Sequence, residues 1–189
     1  GINPAARTTC VKPSGNASVL LQTASGIHAE HSPRYIRNIQ MNKESEITQA
    51  IVKSNPYMIE ESVWSANGTD VVISFPIIPN KGSMYKDDLV GVKHLELVAK
   101  AQKYWVIAGT NEELCADEGV RHNVSNTIIV DDWDEVEKYV FENRYSFSGI
   151  SFLSAMGDKD YNQAPNTAVI DDKQMVKKYG PAAIFASGL

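Results

Sequence analysis

Stretches with strand character and stretches with helical character take turns along this chain, and that alternation confines the fold more tightly than any other feature. Val71-Val72-Ile73-Ser74-Phe75 is an apolar, β-branched run of the kind found in strands, and Tyr35 to Met41 alternates apolar and polar as a half-buried strand does. Further strands are predicted at 8–12, 124–130 and 149–153. Between them, helices are predicted over 17–24, 42–52, 57–65 and 131–140, the fourth capped by Asp131, and a last helix runs from Asp171 to Tyr179, where Pro181 breaks it. The longest helix begins at Asp87 or Asp88 and carries Val90, Leu97, Val98, Ala101, Trp105 and Ala108 at the 3-4 spacing of a buried stripe, which Leu89, Val92 and Leu95 widen. Such alternation argues for an α/β class with mainly parallel strands. An open sheet and a segment of a barrel both fit it. There is no internal repeat and no linker, so 1–189 reads as one segment of a single domain.

Composition narrows the function classes. With 43% hydrophobic and 22% charged residues the chain is that of a globular domain. Its net charge is 18 − 23 = −5, which disfavours a nucleic-acid partner. No apolar run approaches the roughly 20 residues of a membrane helix, and Gly1-Ile2-Asn3-Pro4 does not open a signal peptide, so a cytoplasmic location without membrane attachment is expected. The lack of an initiator methionine and the small, apolar run from Pro181 to Leu189 read as the ends of a piece cut from a longer chain.

The most informative local feature is Lys12-Pro13-Ser14-Gly15-Asn16-Ala17-Ser18, where a predicted strand turns directly into a predicted helix. Gly15 permits a sharp turn and close approach of a ligand. Amides at Asn16, Ala17 and Ser18, with hydroxyls at Ser14 and Ser18, make a phosphate cradle at a helix start. An ordinary Ser/Asn helix cap is the alternative on the local pattern. Neither a Walker lysine motif nor GxGxxG is present.

Other candidates are weaker. His28-Ala29-Glu30 matches half of a zinc-deaminase signature whose P-C-x-x-C half is absent. His28 and His31 together suggest a zinc hydrolase, with no clear source of further ligands. Arg34, Arg37 and Lys43 suit either steering of an anionic substrate or a solvated edge. Among Glu60, Glu61, Asp70, Asp131 and Asp132 no carboxylate pair stands out for acid-base work. The two cysteines, Cys10 and Cys115, read as buried free thiols.

The stretch Thr8-Thr9-Cys10-Val11-Lys12-Pro13-Ser14-Gly15-Asn16-Ala17-Ser18-Val19-Leu20-Leu21, continuing through Ser25-Gly26-Ile27-His28 to His31-Ser32-Pro33-Arg34-Tyr35-Ile36-Arg37, closely resembles the adenosylcobalamin-dependent (class II) ribonucleotide reductases, and most closely the ribonucleoside-triphosphate type. The likeness persists in Glu61 to Gly68, Arg121 to Ile128 and Gly157 to Tyr161. This resemblance implies a segment from the later part of a ten-stranded α/β barrel. It implies that Pro13, Ser14, Gly15, Asn16, Ala17 and Ser18 bind the substrate's phosphates, and that the complete protein is an enzyme of deoxyribonucleotide biosynthesis. In such enzymes homolysis of the cobalt-carbon bond of adenosylcobalamin generates a cysteine thiyl radical, and thioredoxin or a similar dithiol re-reduces the oxidised cysteines.

The radical cysteine of these reductases lies in an N-P-C-x-E motif, whereas Asn3-Pro4 is followed here by Ala5-Ala6-Arg7. No catalytic residue and no metal ligand is therefore assigned in this chain, and the 189 residues alone are expected to be inactive and poorly soluble, with Val71 to Phe75 left uncovered. A stand-alone phosphate- or nucleotide-binding module without catalysis is the alternative.

Overall fold

The computed structural model describes residues 1–156, 161–169 and 171–180. Gly157-Asp158-Lys159-Asp160 and the run 181–189, with the predicted helix breaker Pro181, lie outside the described residues. Two compact units are present, one within Gly1–Glu30 and Gly82–Gly157, the other within His31–Lys81 and Asp158–Leu189. Both α and β elements occur, as expected. Among the described residues no helix is long and apolar enough to cross a membrane.

The first unit is organised by helix α3 (Gly91–Ala101), which continues as a π-helical segment over Gln102–Ile107. Leu95, Val98 and Val106 are buried against Val124, Ile128, Val130 and Val136. The buried stripe is Gly91, His94, Leu95, Val98, Gln102 and Val106: Leu95 and Val98 are buried as predicted, as is Leu89 before the helix, whereas Leu97 and Trp105 are not. At the end of the stripe the wider π turn puts Val106 rather than Trp105 inward and leaves Trp105 exposed. Buried Gln102 donates from Nε2 to the His122 carbonyl and to Ser148 Oγ, at 3.2 and 3.0 Å. The helix also begins later than Asp87 or Asp88: Gly91 sits at φ 50°, where a Cβ would stand 2.8 Å from Asp131 Oδ1. Both the backbone angle and the space favour glycine there.

Strand β4 (Ile128–Val130) pairs in parallel with β5 (Phe152–Ser154), Ile128 opposite Phe152. The predicted strand 124–130 is thus shorter than expected. Thr8 to Lys12 forms no strand; it is held instead by single contacts, among them the Ser125 amide donating to the Val11 carbonyl at 3.0 Å. Helix α4 (Trp133–Glu142) is capped by Asp132 rather than Asp131: Asp132 Oδ1 accepts from the Asp134 and Glu135 amides, both at 3.0 Å.

The second unit is built on an eight-residue antiparallel ladder between β1 (Tyr35–Asn42) and β3 (Asp70–Ile77), in register from Tyr35↔Ile77 to Asn42↔Asp70. Short strands β2 (Ile59–Glu61) and β6 (Asn166–Ala168) extend it to the order β2-β3-β1-β6, every pairing antiparallel. Mainly parallel strands were expected from alternation with helices, a pattern that carries no direction. The predicted helix 57–65 is replaced by a 3-10 turn at Pro56–Met58 followed by β2, whose pairing with β3 overrides local helical preference. Because β3 lies between β1 and β2, Val71 to Ser74 are buried, contrary to the expectation that this run would lie open. Leu20 and Met156, 84% and 90% accessible, are exposed instead. Helix α2 (Glu46–Ser54) follows β1, and helix α5 (Asp172–Tyr179) places Met175 against Ile36 and Val169.

Two outcomes follow from the first unit. His94 is 3% accessible, and its Nε2 donates to the Ile27 carbonyl at 3.1 Å. Burial holds its pKa below the ordinary value of 6.5, assisted by nearby His28 and opposed by the Ile27 carbonyl. The unfolded chain then takes up the proton first, so this group's contribution to stability is intact above about pH 6.5 and is lost as pH falls below it. Urea midpoints measured from pH 7.5 to 5.5 should drop with acid, and the drop should be smaller in His94→Gln; equal slopes in the two proteins would refute the assignment. Asp132→Ala should cost about 1 kcal/mol by loss of both capping bonds, read in the same titration at pH 7.5.

Candidate functional site

The predicted cradle lies in the first unit, on a loop whose two stems are fixed by the core. Val11 and Ile27, one on each stem, pack against the cluster around Leu95 and Val98. The Val11 carbonyl accepts from Ser125 and the Ile27 carbonyl from His94. His28 donates from Nδ1 to the Ser25 carbonyl at 3.1 Å and accepts at Nε2 from the Thr127 amide at 3.2 Å. These two bonds orient the ring, with the proton on Nδ1 and the lone pair of Nε2 towards Thr127. Its ring edge meets His94 at a centroid distance of 5.8 Å.

Between the stems, Gly26 at φ 64° brings the returning chain against the outgoing one: a Cβ there would stand 2.8 Å from the Lys12 carbonyl oxygen. The loop is also tied by the Ser14 amide, which donates to Ser25 Oγ at 3.0 Å. Ser25 and Gly26 are thus part of the site's construction, a role that sequence reasoning did not give them. The signal available for it was a glycine in a short Ser-Gly turn.

Gly15 turns the chain at φ 55° and ψ −117° into helix α1 (Asn16–Leu20), much shorter than the predicted 17–24, and a Cβ on Gly15 would meet nothing within 4 Å. The helix has no side-chain cap on its first turn. Ser14 is exposed, whereas Ser18 is 4% accessible and its hydroxyl donates to the Gly15 carbonyl at 2.9 Å. The Ala17 amide donates to the Ser14 carbonyl at 3.2 Å. Of the predicted donors, the Ala17 amide and the Ser18 hydroxyl are engaged by the loop itself, and among the described residues no such bond takes the Ser18 amide or the Ser14 hydroxyl. Pro13 carries no amide hydrogen and begins the turn.

Other sequence candidates fall apart from this constellation. His28 has both ring nitrogens in hydrogen bonds, and among the described residues no group of three or more His, Cys, Asp or Glu is arranged to hold a metal ion. His31 instead packs on Tyr35 in the second unit. Arg34, Arg37 and Lys43 also belong to the second unit, where Lys43 pairs with Glu61 at 2.5 Å. Asp70 accepts from Gln40 Nε2 at 2.8 Å, and Glu60 and Glu61 are exposed on β2. The cysteines are not buried as expected: Cys10 is exposed because the 8–12 segment has no neighbouring strand to cover it, and Cys115 is half-buried.

No family model matches the chain. It is 30% identical over 161 residues to a probable adenosylcobalamin-dependent ribonucleoside-triphosphate reductase of Dictyostelium discoideum, covering 84% of this chain and 19% of that protein. It is 26% identical over 175 residues to the adenosylcobalamin-dependent ribonucleoside-triphosphate reductase of Euglena gracilis, covering 91% of this chain and 22% of that protein. The chain therefore spans about a fifth of the length of these curated relatives. The crystal structure of a B-12 dependent (class II) ribonucleotide reductase shares its fold, with a TM-score of 0.68 at 22% identity over 94% of this chain and 23% of that one. Sequence and fold point to the same place, and the chain is homologous to one segment of the adenosylcobalamin-dependent, class II ribonucleotide reductases.

Proposed function

We propose that the complete protein is an adenosylcobalamin-dependent ribonucleoside-triphosphate reductase, that this segment belongs to its ten-stranded α/β barrel, and that Pro13 to Ser18 hold the substrate's phosphates. The single observation that carries the loop assignment is its backbone: Gly15 at φ 55° opens the first turn of α1 without a side-chain cap. Amides in that position favour an anion, through their own hydrogen bonds and through the local dipole. The names of the relatives support a ribonucleoside triphosphate as that anion. Ser14 contributes a hydroxyl from the exposed side of the turn, while Ser18 shapes the turn from within.

Adenosylcobalamin is proposed for the complete protein as the source of its radical chemistry. Among the described residues of this chain nothing fits it: His28 has both ring nitrogens engaged, His94 is buried on the Ile27 carbonyl, and the larger described cavity, about 600 Å³, is of a size for a drug-sized ligand and not for a corrin. The cofactor is accordingly assigned to other parts of the complete protein. The same holds for thioredoxin, whose target cysteines are not assigned to Cys10 or Cys115. On this reading the segment binds and positions substrate, in the cytoplasm, and the cysteine chemistry is carried by other parts of the protein.

In the complete enzyme, Ser14→Ala should remove one hydrogen bond to a charged group, worth roughly 1.5–3 kcal/mol, and raise the nucleotide KM about tenfold or more with a smaller change in kcat. Gly15→Val should do more harm, because valine resists the positive φ and its side chain projects into the open space that the phosphate would approach. Adenosylcobalamin affinity, measured in parallel, should stay near the wild-type value in both variants. A folded Gly15→Val enzyme with unchanged nucleotide KM would reduce the loop to a helix start without a ligand.

A further inference from the structure

The sheet of the second unit carries a cleft that the phosphate loop does not explain. It has a volume of about 600 Å³, within the range that takes a drug-sized ligand. Its floor comes from β1 and β3. Asn38 and Gln40, two residues apart on β1, share the sheet face on which Ile36 packs with Met175 of α5, and Val72 pairs opposite Gln40. Past the part of that face near Ile36, the cleft opens.

Trp64 and Tyr161 stand at one side of it, their rings edge to face with centroids 6.0 Å apart. Both are large aromatic surfaces left open, 63% and 50% accessible. Trp64 is not loose: its Nε1 donates to the Asn162 carbonyl at 3.2 Å.

The remaining polar lining is carboxamide, and each amide is held by the protein itself. Asn38 donates to the Ala164 carbonyl at 2.7 Å and accepts from Ser74 Oγ at 2.8 Å. Gln163 donates to the Glu61 carbonyl and accepts from the Val63 amide, at 2.6 and 2.9 Å. Gln40 donates to Asp70, which leaves its Oε1 and a second N–H. Among the described residues none that lines the cleft carries a charge. A stacking surface beside pre-set amides, with a described lining that is neutral, matches a flat, neutral heterocycle that offers donors and acceptors at its edge. Nucleobases have that chemistry: they stack on aromatic rings, and amide side chains read their edges.

We propose that this cleft binds a nucleobase, stacked against the paired rings of Trp64 and Tyr161 and read at its edge by Gln40 and Asn38. The proposal does not depend on the phosphate assignment of the loop.

Photolabelling of the complete protein with 8-azidoadenosine, followed by peptide mapping, tests it. Label is expected on peptides containing Trp64 or Tyr161, reduced about tenfold in Trp64→Ala and in Tyr161→Ala and largely retained in Trp64→Phe, since an aromatic ring preserves stacking. Trp64 is exposed enough that its replacement should leave the fold intact, which a thermal melt of each variant checks. Ser14→Ala should leave the labelling unchanged. Excess adenosine and excess ATP should protect equally; protection by ATP alone would assign the label to a phosphate-reading site and overturn the proposal. Label found only on other peptides, or undiminished in a folded Trp64→Ala protein, would overturn it as well.

Discussion

The packing of α3 against the segment from Val124 to Val130 is the contact on which the first unit depends. Leu95, Val98 and Val106 supply one side, Val124, Ile128 and Val130 the other, and Val136 of α4 closes the cluster. Burial of this kind supplies the main favourable term in folding, and here it also sets the position of a loop. Val11 and Ile27 reach the same cluster from the two stems, while the backbone around them is bonded to Ser125 and His94. A ligand site on a loop needs stems that do not move, because the ligand's own contacts are too few to order them. Gly26, passing against the Lys12 carbonyl, brings the stems close enough for this to work.

In the second unit the corresponding constraint is register. Eight consecutive pairs between β1 and β3 leave no freedom for β1 to slip, since one residue of displacement would carry Ile36, Asn38 and Gln40 to the opposite face. The carboxamides of the cleft inherit that precision. Ser74, directly across from Asn38, can bond it only in this register. Groups already ordered in the free protein lose little entropy when a ligand arrives, so modest contacts suffice for binding.

How much of this was legible in the sequence differs from element to element, and the reasons are physical. The strands at 35–41 and 71–75 announced themselves through alternation and β-branching, yet their antiparallel pairing did not, because periodicity reports which face is buried and never which strand lies alongside. Tyr57 to Ser65 has apolar residues at near-helical spacing, but three of its residues gain more from pairing with β3 than from a turn of helix. The end of the stripe on the long helix was missed because a π turn, which has no distinct sequence mark, puts Val106 inward in place of Trp105. In the loop, the glycine and its helix start were readable from Pro13-Ser14-Gly15-Asn16. The roles of its hydroxyls were not, because whether a serine faces a ligand or its own backbone depends on a single side-chain torsion. The resemblance of the surrounding sequence supplied what local chemistry lacks, an expectation that the turn meets a nucleotide's phosphates.

The inward turn of Ser18 bears on how an anion would be held by a chain whose net charge is −5. From Lys12 to Gly26 the only ionised side chain is that of Lys12, so an anion there relies on neutral donors. Carbonyl oxygens are then the main obstacle, since each one directed at a phosphate oxygen opposes what the amides favour. Ser18 donates to the Gly15 carbonyl, the oxygen nearest in sequence to the proposed donors, and so engages that acceptor from the protein side. The Ser14 carbonyl is engaged in the same way by the Ala17 amide. On the proposed reading a hydroxyl turned away from the anion would still serve it by occupying an acceptor, and the turn would present donors because the Ser14 and Gly15 carbonyls are already engaged.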